Sequence, residues 1–135
     1  MSGLTNLEQL IRSMEPVLAP ERYIFVTLQP DELLPYGLKP RMVFEEEEGT
    51  TVICRQSEAA DYHLNGQFPC RMITLNVHSS LEAVGFIARI ATRLAAEGMG
   101  VNPVSGYFHD HLFVPESRAD DALDCLRAMI TEVGA

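Results

Sequence analysis

Positive charge is scarce in this chain. It holds a single lysine, Lys39, and ten Lys and Arg in all against nineteen Asp and Glu, a formal net charge of −9. Nucleic acid and anionic membrane surfaces are gripped by clustered Lys and Arg, so neither is expected as a partner. The acidity lies mostly in the first half: residues 1–69 carry eleven acids and five bases, residues 70–135 eight and five. Long apolar runs are missing too. Crossing a bilayer takes roughly 20 apolar residues, and Arg89 and Arg93 interrupt the best candidate. The opening Met1-Ser2-Gly3-Leu4-Thr5 has neither the basic flank nor the apolar segment of a secretion signal, which places the protein in the cytoplasm. The three cysteines, Cys54, Cys70 and Cys125, are odd in number and far apart. A disulfide-stapled secreted domain shows an even framework at short spacings, so these read as small buried hydrophobes.

Chemical motifs are equally sparse. There is no Gly-x-Ser-x-Gly elbow, no His-x-x-x-His or Cys-x-x-Cys pair, and Gly98-Met99-Gly100 follows a helical pattern where a phosphate-cradling loop would precede one. Catalysis has no positive signature, and no cofactor or resident metal is expected.

What is present is a globular composition, 47% hydrophobic over 135 residues, enough for one ordinary domain or two small ones. The organising stretch is 72–101. In Ile73-Thr74-Leu75-Asn76-Val77 apolar and polar residues alternate with the period of a half-buried strand. Phe86, Ile87, Ile90, Ala91, Leu94 and Ala95 then recur at helical spacing, with Gly98 placed as a left-handed terminator. Ser79 and Glu82 form a capping box for this helix, while Gly85 offers an alternative start near Val84.

Earlier in the chain, Thr5 and Glu8 cap a helix with the stripe Leu7, Leu10, Ile11 and Met14, ended by Pro16. Pro20 separates it from a strand at 23–28. Pro30, Pro35, Gly37 and Pro40 exclude a long helix between 29 and 40. A hairpin follows at 42–54 around Glu48-Gly49; its glutamates 45–48 could be read as a metal site, but the better reading has alternate ones facing solvent along a strand edge. Ser57 caps a short helix ended by Asn65-Gly66, and 65–69 is the best domain boundary. The second half continues with strands at 100–105 and 111–114 and a last helix capped by Ser117, giving β-α-β-β-α, one edge strand short of a ferredoxin-like unit.

Val84-Gly85-Phe86-Ile87-Ala88-Arg89-Ile90, with Leu94-Ala95 and Glu97-Gly98-Met99-Gly100-Val101, resembles the opening of an ACT domain, a small-molecule-sensing module of amino-acid metabolism. Val84 stands where that family usually has proline. The runs 77–85 and 106–115, the latter Gly106-Tyr107-Phe108-His109-Asp110-His111-Leu112-Phe113-Val114-Pro115, look like short bacterial proteins made of two ACT-like halves with no attached enzyme. The resemblance implies an α+β fold of ferredoxin-like βαββαβ-type halves, with antiparallel sheets and helices packed on one face. Residues 1–68 would form a degenerate N-terminal half whose first helix is replaced by the Pro-rich loop, and 69–135 a C-terminal ACT domain. It further implies a stand-alone regulatory sensor of a small metabolite, an amino acid or similar, held around the turn before the helix. The matching positions are Asn76, His78, Ser79, Ser80, Glu82 and Gly85. A helix N-terminus suits a carboxylate, and a nearby acid suits an ammonium.

The alternatives are a small metal-dependent enzyme using His78, His109, Asp110 and His111, since a strand puts 109 and 111 on one face, or a purely structural interaction module. Unpaired sheet edges point to a homodimer, centred on the apolar strand of Ile73, Leu75 and Val77, with the glutamates 45–48 kept outside the contact.

Overall fold

The computed structural model describes residues 6–134. In chain order the elements are α1 (Leu7–Ser13), β1 (Pro16–Leu28), β2 (Met42–Glu45), β3 (Thr50–Arg55), α2 (Gln56–Asp61), β4 (Gly66–Leu75), α3 (Phe86–Ala96), β5 (Asn102–Ser105), β6 (Asp110–Pro115) and α4 (Ala119–Gly134). The strands lie in the order β2-β3-β1-β4-β6-β5. Two compact units divide the chain: the residues up to Ala19 with those from Arg71 onward, and Pro20–Cys70. The long strands β1 and β4 each pass from one unit into the other.

The unit that begins at Arg71 has the sheet order β1-β4-β6-β5 and carries α1, α3 and α4. The edge strand missing from the β-α-β-β-α pattern is thus supplied within the chain, by residues 16–19. Around them the Asn76 N–H donates to Glu15 O at 2.9 Å, and Arg71 Nε and Nη2 donate to Ala19 O at 3.2 and 2.8 Å. The pleat of β4 sends Ile73 and Leu75 to one side, and that of β6 sends Leu112 and Val114 there. On that side they meet Leu10, Ile11 and Met14 of the first helical segment, Phe86, Ile90 and Leu94 of α3, and Ala122, Leu126 and Met129 of α4. All three helices therefore cover one face. Arg93 of α3 donates twice to Glu132 of α4, at 2.5 and 2.9 Å, a bidentate pair that holds the Glu132 carboxyl below its usual range and raises the Arg93 guanidinium.

Ile73, Leu75 and Val77, expected at the centre of a dimer contact, are buried in this core. Their hydrophobicity serves the helices of their own unit.

The unit Pro20–Cys70 has the order β2-β3-β1-β4. Register runs from Tyr23↔Arg55 to Leu28↔Thr50 between β1 and β3, and from Met42↔Ile53 to Glu45↔Thr50 between β2 and β3, both antiparallel. Its core is smaller: Val26, Leu28, Leu38, Val52, Cys54 and Ala59. A helix is absent between β1 and β2, as the proline spacing predicts. The loop that runs there is pinned instead by the buried carboxylate of Glu58, which accepts from the Lys39 N–H at 2.9 Å and from Arg55 Nε at 3.3 Å, and by Tyr62 Oη donating to Tyr36 O at 2.8 Å.

Several local expectations change. The cap of α1 is Asn6, whose side chain accepts from the Gln9 N–H at 2.9 Å; Thr5 lies outside the described residues. β1 runs through Pro20, because a proline interrupts a strand only where its nitrogen must donate to the ladder. Arg55, not Ser57, precedes α2, which has no side-chain cap, and the left-handed residue after it is His63 (φ 56) in place of Gly66. Gly66 opens β4. Ser117 sits in a 3-10 turn ahead of α4. The glutamates 45–48 are exposed on β2 and its turn. Cys54 and Cys70 are fully buried and Cys125 half-buried, all free thiols, and burial pushes the Cys54 and Cys125 thiols up.

Leu94 is inaccessible to solvent at the centre of the larger core. Alanine keeps the helix but leaves a void, so Leu94→Ala is expected to lower unfolding free energy by about 2–5 kcal/mol. A denaturant titration checks this; an unchanged midpoint contradicts the packing described.

Candidate functional site

The segment between β4 and α3 leaves the sheet through two tight bonds, Val77 N–H to Leu75 O at 2.8 Å and Ser79 N–H to Val77 O at 3.0 Å. Ser80 then makes a turn: its carbonyl accepts from the Ala83 N–H at 3.0 Å and its Oγ from the Glu82 N–H at 3.1 Å. Helix α3 begins after Gly85, which has φ 90 and ψ −5 and provides no side-chain cap. The Ser79–Glu82 capping box does not form. Ser79 Oγ is engaged elsewhere, donating to Asp110 Oδ2 at 3.1 Å, and the left-handed turn at Gly85 delays the helix by several residues.

This arrangement leaves a solvent-open cavity of ≈ 220 Å³ at the N-terminal end of α3. Ser79, Ser80 and Gly85 line it on the loop side, Phe86, Ile87 and Ala88 at the helix start, and Ser105 and Asp110 from the β5–β6 hairpin. The first intrahelical bond is the Arg89 N–H to Gly85 O at 2.9 Å; the N–H groups of the preceding turn have no carbonyl within the helix to pair with.

Of the six positions implied by the resemblance, Ser79, Ser80 and Gly85 come together at this cavity. Asn76, His78 and Glu82 do not line it. Asn76 and Glu82 are exposed, and His78 is half-buried, tilted against Tyr107 and Phe108 with ring centroids 5.7 and 5.9 Å away. The acid at the cavity is Asp110, 6% exposed, in place of Glu82. Sequence alternation held the signal, since Asp110 keeps step with Leu112 and Val114 on the buried side of β6. Ser105 gave no comparable signal.

Of the His78, His109, Asp110 and His111 set, only His109 and His111 stay together, their rings edge to face at 6.5 Å between centroids. Asp110 bonds Ser79; His111 Nδ1 lies 2.9 Å from Thr74 Oγ1, and His109 Nδ1 3.4 Å from Val77 O. Among the described residues no group of three His, Cys, Asp or Glu side chains converges as a metal site. No helix among them is long and apolar enough to cross a membrane.

One ACT-domain family model matches residues 2–71 and another matches residues 67–128. The chain belongs to the ACT-domain family. Its fold is accordingly the ferredoxin-like one of ACT domains. A crystal structure of a Vibrio cholerae protein of unknown function, described as a possible transport protein, is 39% identical with a TM-score of 0.82, over 92% of this chain and 95% of that one. An Agrobacterium tumefaciens protein shares 15% identity with a TM-score of 0.75, over 87% and 89% of the two chains. The ligand-free regulatory subunit of aspartate kinase from Thermus thermophilus shares 12% with a TM-score of 0.61, over 84% and 95%. These last two show likeness of fold alone. No curated protein matches the chain.

A side chain at Gly85 would meet nothing closer than Leu7 Cδ2 at 3.6 Å, and one at Gly98 (φ 76) nothing within 4 Å. The cost of alanine at either place is therefore backbone strain alone. Both Gly85→Ala and Gly98→Ala are expected to destabilise the fold by about 1–2 kcal/mol, but Gly85→Ala alone should disturb the cavity, visible as amide shift changes at 79–88 in NMR spectra.

Proposed function

We propose that this ACT protein is a regulatory sensor that binds a small metabolite, an amino acid, in the cavity ahead of α3, and passes the occupied state to a partner or to its own oligomer. The observation that carries this reading is the placement of the cavity against the first turn of α3. Unpaired N–H groups and the positive end of a helix dipole favour a carboxylate there. Ser79 and Ser80 add hydroxyls that donate or accept. The size supports a small occupant, because ≈ 220 Å³ lies below the roughly 300–1,000 Å³ of sites for drug-sized molecules. Aspartate-kinase regulatory chains of like fold support regulation as the role. The metal-enzyme reading has no such support: the His109 and His111 rings meet edge to face, 6.5 Å between centroids, but among the described residues no third ligand joins them.

A homodimer is part of the proposal. β2 and β5 end the strand order, and an open edge is a pairing surface. The exposed glutamates 45–48 on β2 and its turn repel a second copy, leaving β5 as the edge to be covered.

A thermal-shift screen of the twenty common amino acids tests the site: a ligand at 100 times its dissociation constant adds about 2.7 kcal/mol of stability, and a flat response to all of them refutes amino-acid binding. Sedimentation equilibrium tests the assembly, with twice the 15.0 kDa chain mass expected and a purely monomeric species at micromolar concentration counting against it.

A further inference from the structure

We infer that the open edge of β2 docks an extended segment of another protein, one that sets two adjacent basic residues before two adjacent apolar ones and adds as an antiparallel strand. The inference is independent of what fills the cavity, and the homodimer proposed through β5 leaves β2 uncovered. β2 ends the strand order, and a sheet edge takes up an extended peptide through main-chain hydrogen bonds. Just past β2, the Glu46 N–H donates to Gly49 O at 2.9 Å and the Gly49 N–H to Glu46 O at 3.3 Å. Bonded and non-bonded pairs alternate along an antiparallel ladder. Met42, Phe44 and Glu46 therefore turn their backbone groups toward β3, and Val43 and Glu45 turn theirs to the open side. Among the described residues no backbone group outside the hairpin bonds those of Val43 or Glu45.

The side chains define the occupant. Val43 and Phe44 leave by opposite faces and are 41% and 63% exposed, and on each face the residue two positions later is a glutamate, Glu45 or Glu46. Apolar pairs and opposite charges directly across two strands stabilise them, and like charges do the reverse. An antiparallel newcomer thus meets Glu46 and Glu45 with its basic residues, then Phe44 and Val43 with its apolar ones. The chain supplies no cation of its own: among the described residues none of the glutamates 45–48 forms an ion pair. Arg41, at the start of this edge, is turned onto Tyr23, donating to its Oη at 2.9 Å. The glutamates that repel a second copy attract this partner.

The probe is the terminally blocked peptide Thr-Arg-Lys-Ile-Val-Thr, titrated to millimolar concentration into isotope-labelled protein and followed by NMR amide shifts. The controls are the same peptide N-methylated at its Lys and Val, which face Glu45 and Val43, and Thr-Glu-Glu-Ile-Val-Thr. Shifts are expected to concentrate at 42–46. N-methylation should weaken binding at least about tenfold. Val43→Pro should weaken it equally while leaving the fold intact, because proline is tolerated on an edge where the lost N–H faces outward. The double variant Glu45→Lys with Glu46→Lys should reverse the preference between the basic and the acidic peptide. No shift at 42–46 with the basic peptide overturns the docking site. Binding indifferent to N-methylation overturns strand addition, since charge attraction alone then holds the peptide, and an unreversed preference in the double variant overturns the charge match. An amino-acid screen that stays flat bears on the cavity alone and leaves this inference standing.

Discussion

The pleat of β6 is the constraint from which the candidate site follows. Successive side chains of a strand leave by opposite faces, so burying Leu112 and Val114 under the helices obliges Asp110 to turn the same way. His111 and Phe113 must then face the other side, and His111 finds Thr74 there. One geometric rule thus buries a carboxylate, separates it from the neighbouring histidines and dissolves a cluster that looks like a metal site when written as letters.

The approach to α3 depends on a second constraint. Gly85 takes a left-handed conformation that costs other residues strain, and the helix can start only beyond it. Residues 79–84 are left as a loop over the helix N-terminus, with Ser79 drawn to Asp110 and Ser80 folding the loop on itself. The cavity is the space this detour leaves. The turn before α3 meets the β5–β6 hairpin of its own unit there. The smaller unit, with a Pro-rich loop where the corresponding helix would run, has no equivalent helix start between β1 and β2 to offer a ligand.

Much of the fold was legible in the residues. Period-two alternation at Ile73, Leu75 and Val77, helical spacing in Phe86, Ile90 and Leu94, and the proline series 30, 35 and 40 act within a few residues of themselves. Gly98 ends α3 as its spacing implies, and the Glu48-Gly49 turn closes the β2–β3 hairpin. Local rules therefore determined the element types and, with the resemblance, the α+β ACT-like class.

What tertiary structure alone decided is whatever depends on partners distant in sequence. Capping is one case: Ser79 and Ser117 carry the right side chains, but Ser79 Oγ is claimed by Asp110, 31 positions away, and Ser117 is placed in a 3-10 turn. The edge strand of the larger unit is another, supplied by residues 16–19, more than fifty positions before the strand they complete. The acid at the cavity is the third. Glu82 lies nearer in sequence to the turn, yet it is exposed, while Asp110 is brought in by strand pairing. A sequence determines which hydrogen bonds and burials are available to each residue; only the closed chain determines which of the competing partners arrives.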